Sequence, residues 1–278
     1  MINKKIVICA TVKNEAKTLK KFFKIIEDIV FRFEDYFIIF VESDSNDKSS
    51  LMLKNYLSTR KGKIITCNLN NKFNRIQSLE ISRNKYLEHI RNDKLLLKFD
   101  FLLVMDVDGV NNNINYKKIK NSLTFEEDWT AIFPNQKYYY YDIFALRISN
   151  LIEENFIKKI KKEYNLKKFK PLKNIFYENL TKLFFIIKSF ENRYVRVKSA
   201  FGGLGIYKLN KIIEFKYDSN NGEDCEHVKL NEGLNAKYGK LFIDKDLINS
   251  HGFNKHTLNG FLSSKINYFA KRFYSKIK

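Results

Sequence analysis

The sequence predicts an α/β fold with a mostly parallel central sheet flanked by helices. Two observations carry this. Over residues 4–107 short apolar runs alternate with helical stretches in units of about 30 residues, the pattern of βαβ crossovers. Polar clusters fall directly after those runs, where an open parallel sheet places its ligands.

"KKIVICATV" reads as a buried strand, and "KNEAKTLKKFFKIIEDIV" as an amphipathic helix with Leu19, Phe22, Phe23, Ile26, Ile29 and Val30 at helical spacing. "YFIIFVE" is a second strand, and "SDSNDKS" supplies turn and N-cap chemistry before the helix "SSLMLKNYLSTR". "GKIITCN" is a third strand, "RIQSLEISRNKYLEHIRND" a third helix and "FDFLLVMDV" a fourth strand. Beyond residue 120 the alternation weakens. "WTAIFPNQ" reads as a strand, residues 150–192 as a basic helical elaboration with "NLTKLFFIIKSFEN" its clearest amphipathic piece, and "YVRVKSAFGGLGIYKL" as strand, glycine turn, strand. "GEDCEHVKLNEGL" opens a helix and "KLFIDKDLINSHG" is a late strand. With no repeat and no Pro/Gly/Ser linker, the expectation is one domain over 1–257 followed by a basic amphipathic tail, 258–278.

The net charge of +20 over 278 residues invites a nucleic-acid partner. Lysine far outnumbers arginine, however, and specific readers of bases rely on arginine's planar fork, so the bias argues against nucleic acid and for anionic substrates or an anionic membrane surface. Three scattered cysteines, Cys9, Cys67 and Cys225, give neither a disulfide framework nor a CxxC metal site. The apolar stretch Ile6–Val12 is too short for a signal peptide and "LFFII" too short for a membrane span. A reducing, cytoplasmic setting is expected. The tail "FLSSKINYFAKRFYSKIK" places Phe261, Ile266, Phe269, Phe273 and Ile277 near one helical face with lysines opposite, a pattern suited to peripheral contact with an anionic leaflet or to packing on the domain.

The fourth strand ends in "MDVDGVNNN". Residues two apart on a strand point the same way, so Asp106 and Asp108 can converge on one object. Hard oxygen donors suit Mg²⁺ or Mn²⁺ and, through it, phosphate. A polar strand end entering a solvated turn would read the same way.

The ordered set "ATVKNEA" (10–16), "VESDSNDKS" (41–49), "SRNKYL" (82–87), "FDFLLVMDVDG" (99–109), "YYDIFALR" (140–147), "SAFGGLGIYK" (199–208), "EDCEHV" (223–228) and "FIDKDLINSH" (242–251) resembles GT-A glycosyltransferases. Within them it is similar to the capsule-associated, cryptococcal-type mannosyltransferase-like group. The resemblance implies a nucleotide-diphospho-sugar transferase fold, transfer of a sugar from a UDP- or GDP-sugar to a glycan, polysaccharide or glycolipid hydroxyl, and an Mn²⁺ or Mg²⁺ cofactor. It leaves the oligomeric state open.

By that resemblance Asp106 and Asp108 hold the cation, with Val107 between them in the donor site. Thr11, Lys13 and Glu15 follow the first strand at the donor side, and Glu42 and Asp44 form the acidic turn beneath base and ribose. Helix capping is the competing use there, to which Ser45, Asp47 and Ser49 are suited. Arg83 and Asn84 match an Arg-Asn pair beside the nucleotide. Tyr141, Asp142, Arg147, Gly202 and Gly203 would face the donor sugar or acceptor. Asp224 and Glu226 match the late acidic motif, whose carboxylate takes the acceptor proton in inverting members and stabilises the oxocarbenium-like sugar in retaining ones, with capping again the alternative. His251 matches a third metal ligand, although a lone histidine is commonly structural. Phe144 stands where the group commonly has tryptophan.

Two rivals belong to other classes. A nucleotidyltransferase would need a Gly-rich, lysine-bearing loop after the first strand, where this chain has "TVKNEA". A non-enzymatic basic module would use the charge and the tail alone.

Overall fold

A computed structural model describes residues 2–70, 72–155, 183 and 185–251. The strands are β1 (Ile2–Val12), β2 (Phe33–Glu42), β3 (Gly62–Thr66), β4 (Phe101–Met105), β5 (Ala131–Gln136), β6 (Tyr194–Val197), β7 (Leu204–Lys208) and β8 (Leu241–Ser250). They form one sheet in the order β3-β2-β1-β4-β7-β5-β8-β6. β1, β2, β3 and β4 pair in parallel, β5 pairs with β8 in parallel, and β7 and β6 run against their neighbours. The helices are α1 (Ala16–Val30), α2 (Ser49–Leu57), α3 (Arg75–Arg91), α4 (Tyr116–Leu123), the single turn α5 (Leu209–Ile212) and α6 (Glu226–Tyr238).

Both sheet faces are covered, which is why the central strands read as unbroken apolar runs. Alternate residues divide between two cores. Val7, Cys9, Ile39, Val41, Leu102 and Val104 meet Tyr86, Leu87 and Ile90 of α3 on one side. Ile6, Ile8, Ile38, Phe40 and Leu103 meet Leu19, Phe22, Ile26 and Ile29 of α1 on the other. α3 starts at Asn74, whose side chain accepts from the backbone of Ile76 and Gln77 while Gln77 returns a bond to the Asn74 N–H, a complete capping box.

The glycine-turn segment forms strand, glycine turn and strand, as its sequence reads. β6 and β7 do not pair with each other: β6 lies at the sheet edge against β8, while β7 inserts between β4 and β5. The connection is pinned away from a hairpin by Arg147, whose N–H donates to Ser199 O at 2.8 Å. Asn231 of α6 also donates, to Ala200 O at 2.8 Å. In the basic elaboration, residues 150–155 are turns and Ile186–Ser189 a short 3₁₀ helix; the rest of it, residues 156–182 and 184, and the tail 258–278 lie outside the described residues.

One buried carboxylate ties the far edge of the sheet. Asp244 is fully buried and takes both Arg193 Nε and Nη2 at 2.8 Å, with Ser122 Oγ also at 2.8 Å. Removing Arg193 leaves that charge without its counter-ion. A fully buried pair would cost roughly 3–5 kcal/mol. Arg193 is about one-third exposed, so Arg193→Ala is expected to cost about 2 kcal/mol, read as a lower urea midpoint at unchanged slope.

Candidate active site

β4 ends at the carboxyl side of the sheet, and the residues after it are held by backbone. The Asp106 N–H donates to Gly203 O at 2.9 Å, which carries the β4–β7 ladder one residue further. Gly203 has φ +87°, and a Cβ there would come within 2.4 Å of Val110 Cγ1, so only glycine lets β7 approach this turn. The Asp108 carboxylate accepts from the Val110 N–H at 3.1 Å and closes the turn. Asp106 and Asp108 thereby stand together at the mouth of a cleft of about 490 Å³.

The opposite wall comes from the β1–α1 turn and from α3. Thr11, Lys13 and Glu15 line the cleft with Asp106, Val107 and Asp108, six of the ten donor-side residues named from the sequence. The β1–α1 turn is held from outside by the loop after β2: Ser45 Oγ accepts from Asn14 N at 3.0 Å, Ser49 Oγ from Glu15 N at 2.8 Å and Asp47 from Ala16 N at 3.0 Å. These three side chains therefore brace the turn that leads into α1, and neither α1 nor α2 has a side-chain bond at its N-cap. Phe73, Arg75, Ser78, Leu79 and Ser82 complete the wall, and sequence reasoning missed them. The available signal was an aromatic and an arginine bracketing the helix start in the polar stretch "NNKFNR". Phe73 is 43% exposed, and Arg75 has no hydrogen-bond or ion-pair partner among the described residues.

Behind the carboxylates lies Arg83 of α3, 3% exposed. Its guanidinium donates to Asp106 Oδ1 at 2.8 Å, pairs with Glu226 Oε1 and meets His227 Nε2, with the Phe201 ring 4.8 Å away. Burial works against this cation, but the charges of Glu226 and Asp106 outweigh it and hold Arg83 protonated. His227 stacks on Phe201 at 3.6 Å between ring centroids. Burial, with the neighbouring Arg83, pushes its imidazole well below the usual range, so it is neutral and accepts at Nε2. The Asp106 carboxyl is pushed up to about 7: burial raises it most, Asp108 and Glu226 add repulsion, and Arg83 only partly offsets them. Its ionised form is disfavoured chiefly by burial.

The remaining expected residues are placed as follows. Glu42 is buried and accepts from Ser45 N at 2.8 Å. Asp44 accepts from Leu69 N at 2.9 Å and Asn70 N at 3.0 Å, pinning the loop after β3. Asn84 is matched to the Tyr217 backbone through both ends of its amide at 2.9 Å, so it braces α3 and does not line the cleft. Glu226 is buried as the counter-ion of Arg83, a correction to its reading as an accessible base. Asp224 is 29% exposed; its Oδ1 accepts from Asn155 at 2.9 Å and Arg147 at 3.3 Å, while Oδ2 makes no hydrogen bond with a described residue.

Arg147 is also corrected. Only 2% exposed, it donates to Phe144 O at 3.1 Å and Leu146 O at 2.9 Å besides Asp224, so its fork is used inside the protein. Asp142 accepts from Gly202 N at 2.9 Å and Ala145 N at 3.3 Å, and burial pushes its carboxyl above the usual carboxylate range. Those two bonds hold the glycine turn. Gly202 and Gly203 are buried against Gln136 and Val110, and the Tyr141 hydroxyl lies on the same turn, 3.1 Å from where a Gly203 Cβ would stand. His251 is exposed beside Tyr138, and among the described residues no three His, Cys, Asp or Glu side chains gather as a metal cage. The expected third ligand is therefore not assembled with Asp106 and Asp108.

No family model and no curated protein matches the sequence. Among solved structures the fold matches GT-A glycosyltransferases. Mannosyltransferase PcManGT from Pyrobaculum calidifontis, solved with GDP-Man and Mn²⁺, aligns with TM-score 0.53 at 12% identity over 92% of this chain and 59% of its own. S. aureus TarS 1-349, solved with UDP-GlcNAc, aligns with TM-score 0.53 at 11% identity over 91% and 60%. The chain spans about three-fifths of the length of those proteins.

Proposed function

We propose that this chain transfers a sugar from a nucleoside-diphosphate donor to a hydroxyl of a glycan, polysaccharide or glycolipid. The observation that carries the reading is the Asp106–Asp108 pair at the mouth of a donor-sized cleft, on a GT-A fold, at the carboxyl ends of parallel strands. Solved proteins of the same fold hold UDP-GlcNAc, or GDP-Man with Mn²⁺. The ordered motifs favour a hexosyl donor, with mannosyl the finer assignment. We further propose a single catalytic domain over 1–257, working at the cytoplasmic side with peripheral contact to anionic lipid. No described helix is long and apolar enough to cross a membrane.

The donor set suits a hard divalent ion. Burial disfavours a lone charge on Asp106 even beside Arg83, and each carboxylate keeps an oxygen outside its protein hydrogen bond. Bound there, Mn²⁺ or Mg²⁺ supplies positive charge to the diphosphate leaving group. Arg75, at the start of α3 and facing the same cleft, adds a second positive group for the phosphates. Asp224, with Oδ2 open, takes the acceptor's hydroxyl proton, while Arg147 and Asn155 fix its other oxygen. Lys13, Glu15 and Thr11 border the nucleotide. Phe73 offers an exposed ring for the base to stack on.

Stacking of one base on an aromatic ring is worth about 1–3 kcal/mol. Phe73→Ala is therefore expected to raise the nucleotide dissociation constant about tenfold or more with little loss of thermal stability. Titration calorimetry of UDP and GDP reads this directly. The function itself is tested by titrating a panel of UDP- and GDP-sugars with Mn²⁺ into the native chain and into Asp106→Ala/Asp108→Ala. Binding by the native chain alone supports the reading; absence of binding by every donor overturns it.

A further inference from the structure

We infer that Gln136, Asn249 and Asn111 are positioning residues that fix the aim of the Asp106–Asp108 pair, an inference that rests on the donor-site reading above. These three buried carboxamides come from the last turns of three different segments: the end of β5, the end of β8 and the loop after β4. Gln136 Nε2 donates to Asn249 Oδ1 at 3.0 Å and Gly202 O at 3.4 Å. Asn249 Nδ2 donates to Asn111 Oδ1 at 3.0 Å and Gly202 O at 2.8 Å. Asn111 Nδ2 donates to Asp106 O and Gly203 O, both at 2.8 Å. At the far end Gln136 Oε1 accepts from the Tyr141 N–H at 3.3 Å.

Every N–H of the three amides is used. Each amide nitrogen also faces a backbone carbonyl, which can only accept, so none of the three can be turned over. The relay is one-directional, from the Tyr141 peptide across the sheet's carboxyl ends to the Asp106 peptide. It ends where the chemistry is placed. The Asp106 peptide is gripped on both sides, its N–H by Gly203 O and its carbonyl by Asn111, and Gly203 O itself accepts from both. Side-chain direction follows the peptide plane, and a cation site tolerates only about 0.5 Å of error in its ligands. A fully satisfied buried amide network is rigid, and deleting one member strands carbonyls that packing alone cannot satisfy. An apolar filler would preserve volume and lose aim.

The test compares Asn249→Asp and Asn249→Leu with Arg193→Ala, which weakens β8 near its other side without touching the relay. Asn249→Asp is nearly isosteric but turns an oxygen toward two acceptors. Mn²⁺ alone is the probe, its affinity read by electron paramagnetic resonance, and hydrogen–deuterium exchange reports on residues 103–112. Both Asn249 variants are expected to bind Mn²⁺ about tenfold more weakly and to exchange about tenfold faster in that segment. Arg193→Ala, at a similar loss of melting temperature, should change each by no more than about twofold. Exchange in the Asn249 variants no faster than in Arg193→Ala overturns the inference. If they fail to fold, Gln136→Leu, at the far end of the relay, is read against the same control. Failure of the native chain to bind Mn²⁺ counts against the donor-site reading, and the exchange comparison then decides the relay by itself.

Discussion

Arg83→Ala is expected to destabilise the protein by roughly 3–5 kcal/mol at neutral pH, the cost of stranding buried charge. The arginine is 3% exposed and stands between Glu226, 4% exposed, and Asp106. Without it two carboxylates face one another, and neutral His227 loses the donor on its Nε2. Arg83→Lys is expected to recover only part of the loss. One ammonium cannot reproduce a planar fork that serves Asp106 through one nitrogen and Glu226 with His227 through the other. Urea denaturation checks the order: native, then lysine, then alanine. Equal stability of the alanine variant would mean the triad contributes nothing and its partners find water.

Asp106→Asn should separate stability from function. In the metal-free protein Asp106 is pushed up to about 7 from an ordinary 3.8. The folded state therefore binds more protons than the unfolded state between those values, and this group's contribution to stability falls as pH rises from about 4 to 7. Asparagine still accepts from Arg83 but carries no charge. The variant should lose that slope and be more stable than native at pH 7, by on the order of 1–2 kcal/mol. Sugar transfer should fall by about a thousandfold, because a neutral amide is a poor partner for a hard cation. Parallel pH series of melting temperature, with and without Mn²⁺, together with kcat/KM, read both effects. A variant of unchanged activity would remove Asp106 from the chemistry.

Local features were readable in the sequence, and long-range ones were not. The β1 to β4 alternation is written in periodicity, and the polar clusters at Thr11–Glu15 and Asp106–Asp108 follow because parallel strands deliver their ends to one side. Three residues have an internal use that the sequence does not show, for one reason. Arg83, Asn84 and Arg147 look like ligand-binding groups, yet each is matched to a partner far along the chain: Glu226, the Tyr217 backbone and Asp224. Polar side chains that brace a buried site carry the same composition as those that bind a substrate. The split of β6 from β7 was hidden because a glycine turn between apolar runs has the same local pattern whether or not the runs pair. Phe73 went unnoticed since one exposed ring in a polar loop has no period.

The order of the strands has a consequence for handling as well as for chemistry. Among the described residues the sheet ends on β3, of five residues, and β6, of four, each with a basic side chain in solvent, Lys63 and Arg196. Such brief, charged borders give another copy little unpaired main chain to zip onto. With a formal charge of +20 on every molecule, mutual repulsion adds to that protection, so ionic strength is the solvent variable by which clumping of concentrated samples is set.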